Sequence, residues 1–109
     1  MAAEILERKG QYAECAAEYS SAIKLLSVSA DLYVKAATCY RKSDSLDIAQ
    51  DMLDIAKQKE SGFPNVYREQ GFVFEKKGLP RQASEAFNLY LELSPNAVDR
   101  SEIESKLPH

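Results

Sequence analysis

The sequence predicts an all-α protein, a solenoid of three helix-turn-helix units closed by a short C-terminal capping helix. Three observations predict this fold: a self-similarity at a spacing of 34 residues, apolar side chains at helical spacing inside each unit, and helix-ending residues at the same point of every unit. At 109 residues the chain is long enough for one domain and too short for two ordinary ones.

The repeat is clearest in two stretches, ERKGQYAECAAEY from residue 7 and EKKGLPRQASEAF from residue 75. They lie 75 − 7 = 68 residues apart, and RKSDSLDIAQDML from residue 41 is the copy midway between them. Small, bulky and turn-forming positions keep the same register in all three units. They are Ala3, Ala37 and Gly71; Leu6, Tyr40 and Phe74; Gly10, Asp44 and Gly78; Cys15, Ala49 and Ala83; and Tyr19, Leu53 and Phe87.

Each unit has the pattern of two helices. In the second unit the apolar faces at helical spacing are Tyr33, Ala36, Ala37 and Tyr40, then Ala49, Met52, Leu53 and Ala56. Between them we expect a left-handed residue, which glycine supplies in two units and Asp44 in the other. Pro64 and Pro80 are expected in first helical turns, and Pro95 should follow the end of a helix.

The third unit carries a family resemblance. It reads Tyr67-x-x-Gln70-Gly71-x-x-Phe74, then Ala83-x-x-x-Phe87, then Pro95, which resembles the tetratricopeptide repeat signature. The resemblance implies a right-handed α-solenoid. We expect repeat 1 at residues 1–29, repeat 2 at 30–63, repeat 3 at 64–97 and the capping helix at 98–109. Repeat 1 looks N-terminally clipped, because a full unit would begin before Met1.

The segment after the third unit departs from the repeat. Asp99 and Glu102 have capping-box spacing, and Ile103 and Leu107 form an apolar pair, so we expect a short helix that covers the end of the stack. Tyr90 stands where the other units have alanine. This larger side chain predicts a thinner or differently placed neighbour at that end.

Composition excludes several classes of protein. A formal charge of −3 leaves no basic field for nucleic acid, and no apolar run reaches the roughly 18 residues of a spanning helix. His109 is the only histidine, and the four glycines form no phosphate-binding loop, so we expect neither catalysis nor a metal or other cofactor.

The two cysteines, Cys15 and Cys39, do not form a Cys-x-x-Cys pair. We expect both to be reduced and structural, since buried free cysteine behaves as a small hydrophobe, with a disulfide as the alternative. Reduced cysteines favour a cytoplasmic location, although an exported or anchored parent protein stays open.

Proteins of the family that this chain resembles are usually interaction modules, whose first helices line a concave groove for a partner's peptide or helix. We expect groove contacts from Val34, Lys35, Thr38, Arg41, Arg68, Phe72, Glu75 and Lys76. Other exposed positions on the same helices are Glu4, Glu7, Arg8, Asp31, Lys42, Asn65 and Glu69. Phe72 is the strongest candidate, because aromatic side chains anchor interfaces; its alternative is packing against the neighbouring unit or the clipped terminal helix.

Some members of the family clamp the C-terminal carboxylate of heat-shock chaperones with cations and amides. At four of the clamp positions this sequence has Glu4, Lys35, Asn65 and Glu69. Two carboxylates would repel such a ligand, so we expect no chaperone clamp. The alternative to a partner-binding adaptor is a structural solenoid segment of a larger protein, or a scaffold that self-associates.

Overall fold

The computed structural model describes residue 3 and residues 10–25 and 29–108, and every regular element in these parts is a helix. The helices are α1 (Tyr12–Leu25), α2 (Ala30–Lys42), α3 (Leu46–Lys59), α4 (Pro64–Lys76), α5 (Pro80–Leu93) and α6 (Arg100–Glu104). Ala3 is helical and buried. The remainder of the predicted opening helix, with the expected surface positions Glu4, Glu7 and Arg8, lies outside the described residues.

The predicted turns are confirmed. Gly10, Asp44 and Gly78 have φ of 76°, 67° and 74°, which is the left-handed conformation that ends a helix. After α4, the Gly78 amide donates to Glu75 O at 3.1 Å and the Leu79 amide to Phe74 O at 2.9 Å, so the last carbonyls of the helix are satisfied. Asp44 and Ser45 make the equivalent pair of bonds after α2.

Proline marks the start of two helices. Pro64 and Pro80 occupy first-turn positions of α4 and α5, where the missing amide hydrogen would have had no helical partner. Helix α5 ends at Leu93, before Pro95, as expected. The local chemistry of the chain therefore fixes where the helices of the third unit begin and end.

The helices pack in consecutive pairs. Helix α2 lies against α3 and α4 lies against α5, while α3–α4 and α2–α4 contacts join the two pairs, and α1 packs on α2. Gly71 permits the tightest approach: a β-carbon there would lie within 3.0 Å of three ring carbons of Phe87 on α5. The main core runs from α2 to α6 and includes Leu53, Val66 and Ile103.

The cysteines correct the sequence analysis. Cys15 on α1 and Cys39 on α2 form a disulfide with a Cα–Cα distance of 5.9 Å, so the expectation of two reduced cysteines is wrong. The two residues are 24 positions apart in the chain, and only the packing of α1 on α2 brings them together. The argument from reduced cysteines for a cytoplasmic location falls with it.

The C-terminal segment closes the end of the stack with a helix of five residues. Ile103 is fully buried and Leu107 packs against the main core, as the apolar pair predicted. The expected capping box is wrong, because the Asp99 carboxylate is engaged by Arg68 and Tyr90 instead of by the first turn of α6. Tyr90, the large residue at an alanine position, is buried and donates to Asp99.

Candidate peptide-binding groove

A groove of about 410 Å³ lies between α2 and α4 and ends at the segment before α6. Its floor includes the buried side chain of Val34, and Tyr90 closes one end. The lining residues are Asp31, Val34, Lys35, Thr38, Asn65, Arg68, Glu69, Tyr90, Val98 and Asp99. Four of the eight predicted contact residues, Val34, Lys35, Thr38 and Arg68, therefore line one cavity.

A buried ion pair lies beside the groove, between α2 and α4. Arg41 Nε donates to Glu69 Oε2 at 2.8 Å and Arg41 Nη2 donates to Glu69 Oε1 at 3.0 Å. This bidentate ion pair joins α2 to α4. Glu69 is only 2% exposed, so its assignment to the exposed surface is wrong. A buried carboxylate is tolerated here because the guanidinium neutralises its charge and donates hydrogen bonds to both of its oxygens.

A second polar cluster holds the C-terminal segment against the groove. Arg68 Nε donates to Asp99 Oδ2 at 2.6 Å, and the Tyr90 hydroxyl donates to Asp99 Oδ1 at 2.6 Å. Burial raises the pKa of Tyr90 to about 12, and the bond to Asp99 adds to the shift. Burial alone would raise the pKa of Asp99, but the hydrogen bonds from Tyr90 and Arg68 outweigh it and the pKa is lowered.

The pKa of Arg68 is raised. Burial would lower it, yet the hydrogen bond and charge of Asp99 prevail. Arg68 is thus committed to the C-terminal segment, and its guanidinium is not presented to the groove as an uncompensated charge.

Phe72 has a packing role in the structure. Its ring meets Phe87 edge-on with centroids 5.2 Å apart. The Arg41 and Arg68 guanidinium carbons lie 4.9 Å from the ring centroid, and Lys106 Nζ lies 5.5 Å from it. Phe72 therefore packs mainly on Phe87 of its own unit, while Arg41 of the neighbouring unit and Lys106 of the C-terminal segment approach its ring.

The other predicted contact residues divide into two groups. Val34 is buried, which corrects its placement among exposed positions, and Thr38 Oγ1 donates to Val34 O at 3.1 Å while its side chain stays part-exposed in the groove. Glu75 and Lys76 are exposed but do not line the groove; Glu75 accepts from Lys106 at 3.3 Å, and Lys76 donates to Asp44 at 3.3 Å.

Glu75 and Lys106 line a different cavity, of about 480 Å³, at the turn between α4 and α5. Its walls include Phe87, Leu107 and Pro108.

Val98 is one of three groove residues, with Tyr90 and Asp99, that the sequence analysis did not place there. The Val98 side chain is fully exposed at the edge of the groove, beside the partly buried Asp99 cluster. The signal was available, because Val98 is an apolar residue in a polar segment that had left the repeat pattern. Together with the exposed amide of Asn65 and the half-exposed Lys35, it forms the outer rim of the groove.

The described parts of the chain show neither a metal-binding cluster nor a membrane-spanning helix. Over residues 3, 10–25 and 29–108, no three side chains of His, Cys, Asp or Glu converge as a metal site would require. Within the same residues, no helix combines the length and apolar character needed to cross a bilayer.

Comparison with solved structures identifies proteins of the same fold. No protein-family model and no curated protein matches the sequence. Among solved structures, the tetratricopeptide repeat domain of Arabidopsis OM64 superposes with a TM-score of 0.84 at 19% identity, covering 95% of this chain and 86% of that one. The second such domain of human RPAP3, solved in complex with the HSP70 peptide SGPTIEEVD, gives 0.81 at 19%, covering 95% and 87%.

The chain therefore has the tetratricopeptide repeat fold, an α-solenoid of helix-turn-helix units.

Proposed function

We propose that this chain is a protein–protein interaction module that binds an extended peptide or a helix of a partner in the groove between α2 and α4. The observation that carries the proposal is the groove itself: it has an apolar floor at Val34 and an exposed apolar rim at Val98. The RPAP3 domain, which shares the fold, holds a peptide in its solved structure, and this supports the same use of the surface here.

The charges of the groove indicate the kind of partner. Asp31 pairs with Lys35 at 3.2 Å, and the acidic residues Glu69 and Asp99 are each engaged by an arginine. Because each lining charge has an opposite charge beside it, the groove offers little net attraction to a strongly charged segment. The partner segment that fits it best carries small net charge and places an apolar side chain between Val34 and Val98.

The same charges bear on the chaperone clamp, which we continue to reject. Glu69 is neutralised by Arg41, so it repels an anionic ligand less than the sequence suggested. The stronger reason is now that Arg41 and Arg68 already bind carboxylates of the protein and would have to release them to hold a carboxylate from outside. We also expect binding without catalysis, as the sequence analysis did.

A peptide-display screen tests the proposal with two variants that should both fold. The groove variant is Lys35→Ala/Asn65→Ala/Val98→Ser, which changes only side chains with substantial exposure. The matched control is Asp51→Ala/Asn88→Ala/Glu92→Ala, three exposed residues of α3 and α5. Circular dichroism and thermal unfolding confirm that both variants keep the fold before any binding is scored.

Peptides of low net charge that are enriched by the wild type and the control, and lost by the groove variant, support the proposal. Failure of any peptide to enrich, or equal enrichment by all three proteins, overturns it. The peptide SGPTIEEVD is a separate arm, in which we expect no measurable binding; binding that Lys35→Ala abolishes would reinstate the clamp. A mass that rises with protein concentration would favour the self-associating scaffold instead.

A further inference from the structure

The disulfide connects two helices that share a small core of their own. Cys15 and Cys39 are fully buried in a cluster separate from the main core. The other buried members are Ala3, Ala16, Tyr19 and Ala36. Among the described residues, five of the six buried side chains of this cluster are thus alanine or cysteine, and Tyr19 alone is large.

The main core contains larger buried side chains than the cluster around the disulfide. The largest fully buried side chains other than Tyr19 and the cysteines are Phe87, Leu53, Ile103, Val66 and Val73, and all belong to the main core. Since hydrophobic stabilisation grows with the apolar area buried, the described buried side chains around the disulfide contribute less to packing than those of the main core do. Tyr40 and Met52, which are partly buried against both clusters, join the two.

Two polar contacts between α1 and α2 lie beside this packing. The hydroxyls of Ser20 and Tyr40 lie 2.5 Å apart, and Lys42 Nζ lies 5.2 Å from the centroid of the Tyr12 ring. Neither contact is a buried bidentate ion pair like that of Arg41 with Glu69, which joins α2 to α4. The disulfide is therefore the one covalent tie between α1 and α2, at a layer whose described buried side chains are mostly small.

We propose that the Cys15–Cys39 disulfide is a redox-controlled latch, which holds α1 on α2 when oxidised and allows α1 to open when a dithiol reduces it. A thiolate of the dithiol attacks one sulfur and forms a mixed disulfide, and the other cysteine leaves as a thiolate that takes up a proton. The second thiol of the reagent then displaces the remaining cysteine. Two electrons pass to the protein, and the dithiol becomes a cyclic disulfide.

Burial controls the rate of this reaction. Both cysteines are 0% exposed, so a reductant reaches them only after α1 has moved away from α2. Once the bond is broken, the open state regains the chain entropy that the cross-link removed. For cysteines 24 residues apart, this shifts the opening equilibrium of α1 on the order of 100-fold. Because stacked repeats are stabilised mainly by their nearest neighbours, the opening need not spread past α2.

Hydrogen–deuterium exchange on the whole chain tests the latch, with the oxidised protein compared with the protein held in dithiothreitol. We expect exchange of α1 amides to accelerate by up to about 100-fold on reduction. Amides of α4 and α5 should exchange at the same rate in both forms. The Cys15→Ala/Cys39→Ala variant is the control: its α1 should exchange rapidly with or without dithiothreitol.

Three results overturn the latch. Two free thiols in the denatured, untreated protein would mean that the bond does not form in solution. Unchanged α1 exchange, after titration has shown both thiols to be free, would mean that packing alone holds the helix. Faster amide exchange in α4 and α5 as well would mean that the disulfide stabilises the whole fold and not α1 in particular. The wild-type comparison stands even if the double variant fails to fold, and it is independent of peptide binding.

Discussion

At the scale of single residues, Arg41 and Glu69 are the clearest case of a polar pair whose role is structural. We predict that Arg41→Ala lowers the free energy of unfolding by about 3–5 kcal/mol, because it leaves a buried carboxylate without its partner. Urea unfolding followed by circular dichroism measures the loss. Lys76→Ala is the control, since its partner Asp44 is 81% exposed, and we expect a change below about 1 kcal/mol. Equal effects of the two substitutions would contradict the assignment.

Gly71 gives a second residue-scale prediction. Alanine is the better helix former by about 1 kcal/mol, but its β-carbon would collide with the Phe87 ring, which is itself packed against Phe72. We expect Gly71→Ala to destabilise the protein by a net amount of about 1–3 kcal/mol.

The measurement is the same urea titration, with Gly62→Ala as the control, because no heavy atom of the described chain lies within 4 Å of a β-carbon placed there. A Gly71→Ala protein as stable as the wild type would show that Phe87 can move aside.

At the scale of the elements, the turn between α2 and α3 is the least well suited to its conformation. Asp44 adopts the left-handed φ of 67° that glycine takes in the other two turns. We predict that Asp44→Gly stabilises the protein by roughly 0.5–1 kcal/mol: removing a strain of about 1–2 kcal/mol is offset in part by the added freedom of glycine in the unfolded chain. Thermal unfolding measures it as a raised Tm.

Asp47→Gly is the matched control for the turn. Asp47 is also an exposed aspartate with a lysine partner, Lys77 at 3.0 Å, but it lies in the first turn of α3. We expect this substitution to cost about 1 kcal/mol, because glycine weakens a helix. A lowered Tm for both variants would show that the ion pair of Asp44 outweighs its backbone strain.

The docking of α6 through Tyr90 predicts a dependence of stability on pH. The folded pKa of Tyr90, about 12, lies above its ordinary value of 10.0, so the folded state retains a proton that the unfolded state loses. Its contribution to stability is complete below pH 10 and is lost as the pH rises toward 12. The difference in unfolding free energy between the wild type and Tyr90→Phe should therefore narrow between pH 9 and about 11.5. A constant difference would show that the hydroxyl does not titrate with folding.

Asp99 acts at the other end of the pH scale. Its pKa is lowered below 3.8, so its contribution is present above that value and is lost as acid protonates the folded carboxyl. The acid and alkaline limits of the α6 contact thus come from two side chains joined by one hydrogen bond.

At the scale of the whole molecule, the capping segment closes the main core, and a pair of aliphatic residues tests this. We predict that Ile103→Ala, at a fully buried position, costs about 2–5 kcal/mol, and that Val98→Ala, at a fully exposed one, changes stability by less than about 0.5 kcal/mol. Both are measured by chemical unfolding. Similar losses for the two variants would mean that α6 is not part of the folded core.

Much of this architecture could be predicted from the sequence because it depends on local chemistry. The left-handed turns at Gly10, Asp44 and Gly78 follow from which residues tolerate positive φ, and the starts of α4 and α5 follow from proline. The spacing of 34 residues, repeated along the chain, was enough to indicate a solenoid of helix pairs. The boundaries chosen for the individual repeats stay a prediction.

The candidate site could be predicted only in outline. Helical periodicity separates the two faces of one helix, and the resemblance to tetratricopeptide repeats implied that the exposed face with Lys35 and Arg68 lines the concave groove. It cannot say which side chains another helix will cover, and for that reason it treated Glu69 and Phe72 as exposed.

The sequence by itself determined the turns and the helix faces, because these depend on residues within a few positions of one another. It also determined the class of fold, because the same local pattern recurs every 34 residues. The tertiary structure decided the pairs that define the surface and the core: Cys15 with Cys39, Arg41 with Glu69, and Arg68 with Asp99. Their members lie 24, 28 and 31 residues apart. Only the packing of one helix on the next brings such residues into contact, and the energy of each pair depends on the burial which that packing creates.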